Sequence, residues 1–322
     1  PESGLPSSKV PENQMQDDSI SQELYAFLEP RMSQEPERSH LEELEASTSQ
    51  KVDAVLVGLT EPVVDERFLL QGGENIIGRL EDCDVPVLWS MLWHGRMKDN
   101  KKIYESALAQ QKKVLFLEVG GIKRNITWKV ALNGINRLGY FGPLDNDDSR
   151  AKLLGLKLKD IKKGDNILVC CQHDKSHQWR NQPSMQIYID RLIHELRMHT
   201  DRKIIVRPHP RCPVENKFHN YKNVELQNPK QIVNTYDDFD LGFENVHAVI
   251  SYSSNPGIHA VINGTHAFVG PESLAYPVAN KELKNIENPQ IFDRNQWLYD
   301  YAYTEWTIEE IAKGLPFSRL TF

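Results

Sequence analysis

At 322 residues, 39% hydrophobic and 26% charged, the chain has the length of two ordinary domains and the make-up of a water-soluble globular protein. No run approaches the roughly 18–20 apolar residues that a membrane-spanning helix needs, and the polar N-terminus lacks the basic and apolar segments of a signal peptide. A net charge of −7 argues against a polyanionic partner only until it is divided: residues 1–50 hold eleven acidic and three basic side chains, and the remaining body carries +1.

Residues 1–50 are rich in Pro, Ser, Gln and Glu, a composition that buries too little apolar surface to offset ordering entropy. They read as an acidic tail in which Ser19 to Leu28 has the pattern of a short amphipathic helix. A first unit, 51–150, opens with the strand Val52-Asp-Ala-Val-Leu-Val-Gly58. A second strand, Val85-Pro-Val-Leu-Trp-Ser-Met-Leu-Trp93, stops at His94-Gly95. Residues 98–111 read as a helix, and Lys113-Val-Leu-Phe-Leu-Glu-Val119 as a strand broken by Gly120-Gly121. Apolar strand cores alternating with helices predict a parallel sheet covered on both faces.

After a linker over 151–165, the same grammar returns in 166–290. Strands are predicted at Asn166-Ile-Leu-Val-Cys-Cys-Gln172, Lys203-Ile-Ile-Val-Arg207, Val224-Glu-Leu-Gln227, His247-Ala-Val-Ile-Ser-Tyr252 and His266-Ala-Phe-Val-Gly270. Helices are predicted over 185–199 and from about Gly257. In the last segment, 291–322, two helical pieces are expected with a break near Thr304. Trp297 and Tyr301 share a helix face there, and Thr307 with Glu310 has the spacing of a capping box.

The chemistry gathers where strands end, because ligands of open α/β sheets bind beyond the carboxyl ends of the strands. One strand of the second unit ends at Gln172-His173. The next ends at Arg207-Pro-His-Pro-Arg211, two guanidinium groups and an imidazole on one rim. A third ends at Ser251-Tyr-Ser-Ser-Asn-Pro-Gly257 and opens a helix, whose N-terminus suits a phosphate. The four cysteines, Cys83, Cys170, Cys171 and Cys212, have no C-x-x-C spacing and fit a reducing cytoplasm. No metal is expected, since none of the D-x-D spacings (Asp82/Asp84, Asp145/Asp147, Asp238/Asp240) closes an apolar strand.

These strand ends resemble those of nucleotide-sugar glycosyltransferases with the GT-B fold, in particular the group carrying a His-Pro and a later Ser-Ser motif, which includes bacterial sialyltransferases and capsule Kdo-transferase-like enzymes. The matching residues are His209-Pro210 and Ser253-Ser254, and the stretch from Ala260 through Gly270-Pro-Glu-Ser273 is similar to the elements closing the donor pocket. The resemblance implies two Rossmann-like domains facing each other across a cleft, with C-terminal helices crossing back to the first. It implies donor contacts by Gln172, Arg207, His209, Arg211, Ser253, Ser254, Asn255, Gly257, Glu272 and Ser273, with a UDP- or CMP-sugar as substrate and no further cofactor.

The first unit is similar to bacteriophage glycosyltransferases in Trp89-Ser-Met-Leu-Trp-His-Gly-Arg-Met97, Leu117-Glu-Val-Gly-Gly-Ile-Lys-Arg124 and Thr127-Trp-Lys-Val-Ala-Leu-Asn-Gly134. Some such enzymes glycosylate hydroxymethylated pyrimidines in DNA. That likeness implies a DNA acceptor met by Arg96, Lys123 and Arg124 within a span, 96–129, of nine basic and three acidic residues. Trp93 and Trp128 would then stack on a base. A general base at the cleft rim falls to Glu118 or to His94. A capsule or surface glycan acceptor, a sugar-nucleotide 2-epimerase and a non-catalytic binding protein are the competing readings.

Overall fold

The computed structural model describes residues 54–57, 84–93, 98–231, 239–240 and 242–321. The acidic tail and the two site candidates His94 and Arg96 lie outside them. Strands β1 (Ala54–Val57) and β2 (Val85–Trp89) pair in parallel, and helix α1 (Asn100–Ala109) leads to β3 (Leu115–Val119), parallel to β2. Every residue of β2 is buried, as a strand covered on both faces requires. Leu88, Met91 and Phe116 pack on Ile103 and Ala107 of α1 on one face, while Trp89, Leu117 and Val119 join a separate cluster on the other.

The expectation of a purely parallel first sheet fails at β4 (Thr127–Leu132), which runs antiparallel to β3. The reason is geometric. Only residues 120–126 separate the two strands, far short of the dozen or so that a parallel crossover needs. Gly120 closes the hairpin by donating its N–H to the Thr127 carbonyl at 3.0 Å, and Asn125 takes the left-handed backbone at φ 63°. A Cβ on Gly120 would stand 2.1 Å from that same carbonyl oxygen, so the turn admits no side chain there.

Short helix α2 (Ser149–Leu153) precedes the second sheet, built from β5 (Asn166–Cys170), α3 (Met185–Arg197), β6 (Ile204–Arg207) and β7 (Val224–Leu226). A two-residue-per-strand ribbon follows, β8 (Lys230–Gln231) with β9 (Phe239–Asp240), then β10 (Val246–Ser251), α4 (Asn255–Ile262) and β11 (His266–Val269). The five strands run in the order β11-β10-β5-β6-β7 with all pairs parallel. Helix α3 lays Ile189, Leu192, Ile193 and Leu196 against Ile167, Val169 and Ile204. On the opposite face α4 covers Leu168 and Val249 with Ile258 and Val261. Residue alternation along β5 thus sends odd and even positions into two different cores, which is why a continuous apolar run was legible as a buried strand.

The C-terminal segment contains α5 (Asn295–Ala302), the strand β12 (Glu305–Thr307) and α6 (Ile308–Ala312). Trp297 and Tyr301 stack on α5 with centroids 5.4 Å apart. The Thr307 capping box forms with both of its bonds. What was expected as helix alone includes a strand: β12 pairs antiparallel with β4 and completes the first sheet as β1-β2-β3-β4-β12. Buried Arg150 pins this return, donating to Glu310 through both terminal nitrogens at 2.8 Å and standing 3.7 Å over the Trp306 ring. The α/β fold class read from the sequence therefore holds, with two sheets and a chain that finishes on the first.

Candidate functional site

The second sheet changes direction between β5 and β10: the chain adds β6 and β7 on one side of β5, then β10 and β11 on the other. Such a switch point leaves a crevice beyond the carboxyl ends of the two central strands. Gln172 and Ser253 meet there. The Gln172 side-chain oxygen accepts from the Ser253 N–H at 3.1 Å and from the Ser253 hydroxyl at 2.8 Å, and its amide donates to Ser176 at 3.4 Å. Both residues are buried, so they hold the two loops together and act as positioning groups.

Ser254, the next residue, is the N-cap of α4, with its backbone extended at ψ 157°. Its hydroxyl is buried and has no hydrogen-bond partner, and it sits where the helix dipole favours negative charge. Asn255 opens the helix and lies against Gly121 of the first unit, where a Cβ would come within 2.7 Å of the Asn255 side chain. Gly257 has a packing role: a Cβ there would stand 2.5 Å from the Ser251 hydroxyl and 2.9 Å from Val269. Ser273 is fully buried and caps its own turn by accepting from the Ala275 N–H at 3.2 Å. Gly257 thus lets the first turn of α4 pack on Ser251 and Val269, and Ser273 shapes the turn after β11.

At the end of β6, Arg207 donates to Gln227 at 2.6 Å. The His209 ring stands edge-on to His173 with centroids 5.3 Å apart, and its Nδ1 accepts from the Arg211 N–H at 3.1 Å. Cys212 closes the same tight turn by donating its N–H to the His209 carbonyl at 2.9 Å. Burial pushes the Cys212 thiol up, so it is not an activated nucleophile. On the other flank, Glu272 beyond β11 forms an ion pair with Arg180 at 3.0 Å.

In the first unit β2 is followed by Ser90, a buried serine held in the left-handed region at φ 64°. Glu118, near the end of β3, accepts from the Val119 N–H at 3.0 Å and from the Met91 N–H at 3.4 Å. Its cross-strand partner is Lys129, whose other partner is Glu305, so carboxylate, ammonium and carboxylate form one row across β3, β4 and β12. Burial lowers the pKa of Lys129, opposed by Glu305 and then Glu118. Glu305 is fully buried and accepts from the N–H groups of Gly121 at 2.7 Å and Ile122 at 2.8 Å and from the Thr127 hydroxyl at 2.7 Å.

Trp128 is in the core, 1% exposed with its ring 5.1 Å from Trp89, and cannot stack on a nucleobase. Trp93 is half-buried and donates its indole N–H to His177 Nδ1 at 2.9 Å, while its ring packs near Tyr104 and Phe116. Lys123 is exposed and Arg124 half-buried on the turn between β3 and β4. Among the described residues the basic span does not form one face. Lys129 is buried, Lys101 and Lys102 pair with Glu105 and Asp99, and Lys113 reaches Thr321 from the far end of β3.

Three groups of contacts bring the two rims together. Leu92 bridges Ser176, and the His177 N–H donates to the Met91 carbonyl at 3.2 Å. Arg137 donates its backbone N–H to the Glu272 carbonyl at 3.0 Å and its Nε to the Pro271 carbonyl at 2.6 Å. Gly121 abuts Asn255, and His259 of α4 reaches the Gly121 backbone. Sequence reasoning missed Arg180, His177, Glu305 and Lys129 as parts of this junction. No local pattern marks them, since each takes its meaning from a partner far along the chain. A separate cavity lined by Val261, Thr265, His266 and Arg294 lies at the opposite end of β11 and shares none of these groups.

No protein-family model matches the sequence, and no curated protein sequence matches it. Among solved structures, the chain is similar to the beta Kdo 2,7 transferase of Thermosulfurimonas dismutans KpsC, with 15% identity and a TM-score of 0.49 over 82% of this chain and 98% of that one. It is also similar to the beta Kdo 2,4 transferase of the same organism's KpsC, with 12% identity and a TM-score of 0.37 over 73% of this chain and 88% of that one. With TM-scores below 0.5, neither likeness identifies an activity.

Proposed function

We propose that this chain is a glycosyltransferase that takes its sugar from a nucleotide-sugar donor and passes it to a glycan hydroxyl. The observation that carries the donor half is the buried, unpartnered Ser254 hydroxyl at the N-cap of α4, placed at the switch point of a parallel sheet. A donor phosphate would satisfy that hydroxyl and the first-turn backbone, while Arg207 and Arg211 at the neighbouring strand end supply positive charge. Glu118 is the group assigned to accept the acceptor's proton, as the carboxylate at the carboxyl end of β3 on the facing rim. A glycan is favoured over duplex DNA as acceptor because the basic residues of 96–129 are divided among core, ion pairs and the far end of the sheet.

The test is calorimetric titration with CMP, UDP and their sugar conjugates, followed by mass spectrometry of glycan and hydroxymethylated-DNA acceptors incubated with the donors that bind. Binding of a nucleotide, weakened about tenfold in Ser254→Ala by loss of one hydrogen bond to a charged group, is the expected result. Failure of every nucleotide to bind, or equal binding by the variant, overturns the donor assignment. A mass increment on DNA and on no glycan overturns the acceptor assignment.

A further inference from the structure

We propose that the turns following β5 and β6 form a mononuclear transition-metal site of the zinc type, with His173, Asp174 and Cys212 as its protein ligands. One ligand atom from each residue lies within 4.8 Å of the other two. A point shared by three atoms so spaced is at most about 2.8 Å from each, the limit set by an equilateral triangle, against roughly 2.0–2.3 Å for zinc bonds to N, O and S. Bringing each ligand atom into bonding range therefore takes a shift of at most about 0.5–0.8 Å.

The donor types select the ion. A thiolate, an imidazole and a carboxylate together suit zinc or its cobalt surrogate, whereas magnesium and calcium take oxygen ligands. Two further features of the turns point the same way. The Asp174 backbone N–H bonds to the Cys212 sulfur, the kind of outer contact that orients a metal-bound thiolate. The His209 ring stands 5.3 Å from that of His173. The His209 ring is the candidate fourth ligand.

The ligands come in pairs from two turns, His173-Asp174 and His209-Pro-Arg-Cys212, so no C-x-x-C or D-x-D spacing advertises them. That explains why spacing arguments pointed to no metal. An ion here would clamp the β5 and β6 turns together beside Gln172, at the edge of the switch-point crevice. His173, Asp174 and Cys212 are none of the groups assigned to the donor, so the metal site stands or falls apart from the nucleotide-sugar reading.

The experiment is titration of the metal-stripped full chain with Co2+, followed by absorbance. One equivalent should produce ligand-field bands and a thiolate-to-cobalt charge-transfer band, both removed by one equivalent of Zn2+. Cys212→Ser should abolish the charge-transfer band, and His173→Gln should weaken binding at least about tenfold, each with an unchanged far-ultraviolet circular dichroism spectrum. No charge-transfer band in the unsubstituted chain overturns the proposal, whatever the variants do. A band of full intensity in Cys212→Ser overturns it as well.

Discussion

Removing the Glu305 carboxylate should destabilise the whole protein more than any other single change at the junction. In Glu305→Ala the backbone N–H groups of Gly121 and Ile122 lose their acceptor, while the Thr127 hydroxyl keeps the Lys123 carbonyl, inside a region from which water is excluded. The Lys129 ammonium, which is also buried, loses the stronger of its two carboxylate attractions. Breaking a buried charge pair from one side costs about 3–5 kcal/mol, because it leaves an uncompensated ion. That is a large part of the roughly 5–15 kcal/mol that holds a typical domain together. At roughly 2–4 °C per kcal/mol for a chain of this size, the melting temperature should fall by about 6–20 °C. The assay is urea and thermal unfolding followed by circular dichroism. Glu305→Gln, which keeps one acceptor oxygen and loses the charge, should fall between the two. Lys129→Met in the Glu305→Gln background should recover part of the loss, since the stranded ammonium is gone. A loss below about 1 kcal/mol for Glu305→Ala would refute the reasoning, because neither the orphaned donors nor the stranded lysine would then be real costs.

Burial, then Arg180 and Lys101, holds the His177 pKa down at about 4, against 6.5 for the free side chain. The unfolded chain therefore binds the extra proton first, and this group's contribution to stability is lost as pH falls from 6.5 toward 4. An NMR titration should place the His177 midpoint near 4, and Trp93→Phe should raise it by removing the indole N–H that bonds the neutral ring. A midpoint near 6.5 in the unsubstituted protein would contradict the burial. Among the hairpin glycines, Gly120→Ala should cost more stability than Gly121→Ala, since the first meets a backbone carbonyl at 2.1 Å and the second a movable Asn255 side chain at 2.7 Å. Chemical denaturation of both variants decides it, and the reverse order would count against the tight turn. Thr307→Ala should destabilise by about 0.5–2 kcal/mol through loss of the capping box, measured as a shift in the urea midpoint at constant slope.

Much of the strand content was legible because burial on both faces writes itself into the chain as a short apolar run. Asn166-Ile-Leu-Val-Cys-Cys and His247-Ala-Val-Ile-Ser need no tertiary information to be read as strands, and both run in the second sheet. The amphipathic spacing of 185–197 and the Thr307/Glu310 box are equally local, and both elements form. The candidate site was partly legible for the same reason. Polar residues directly after apolar strands lie on a rim whatever the strand order, which placed Gln172, His209 and Ser254 there together. Gly257 and Ser273 belong to the same short segments, yet their contacts turn inward.

What the sequence determined by itself is therefore most strands of the second sheet, the longer helices and the Thr307 cap, and the rim on which polar groups collect, because each depends on residues within a few positions of one another. Strand direction at β4, the return of β12 to the first sheet and the row Glu118–Lys129–Glu305 were decided only by the tertiary structure. Gly121 and Glu305 are 184 residues apart along the chain and 2.7 Å apart in the fold. The same carboxylate would be an ordinary surface acid beside different strands. Its place as a buried acceptor follows from which strands become neighbours, and that is settled by packing of the whole chain.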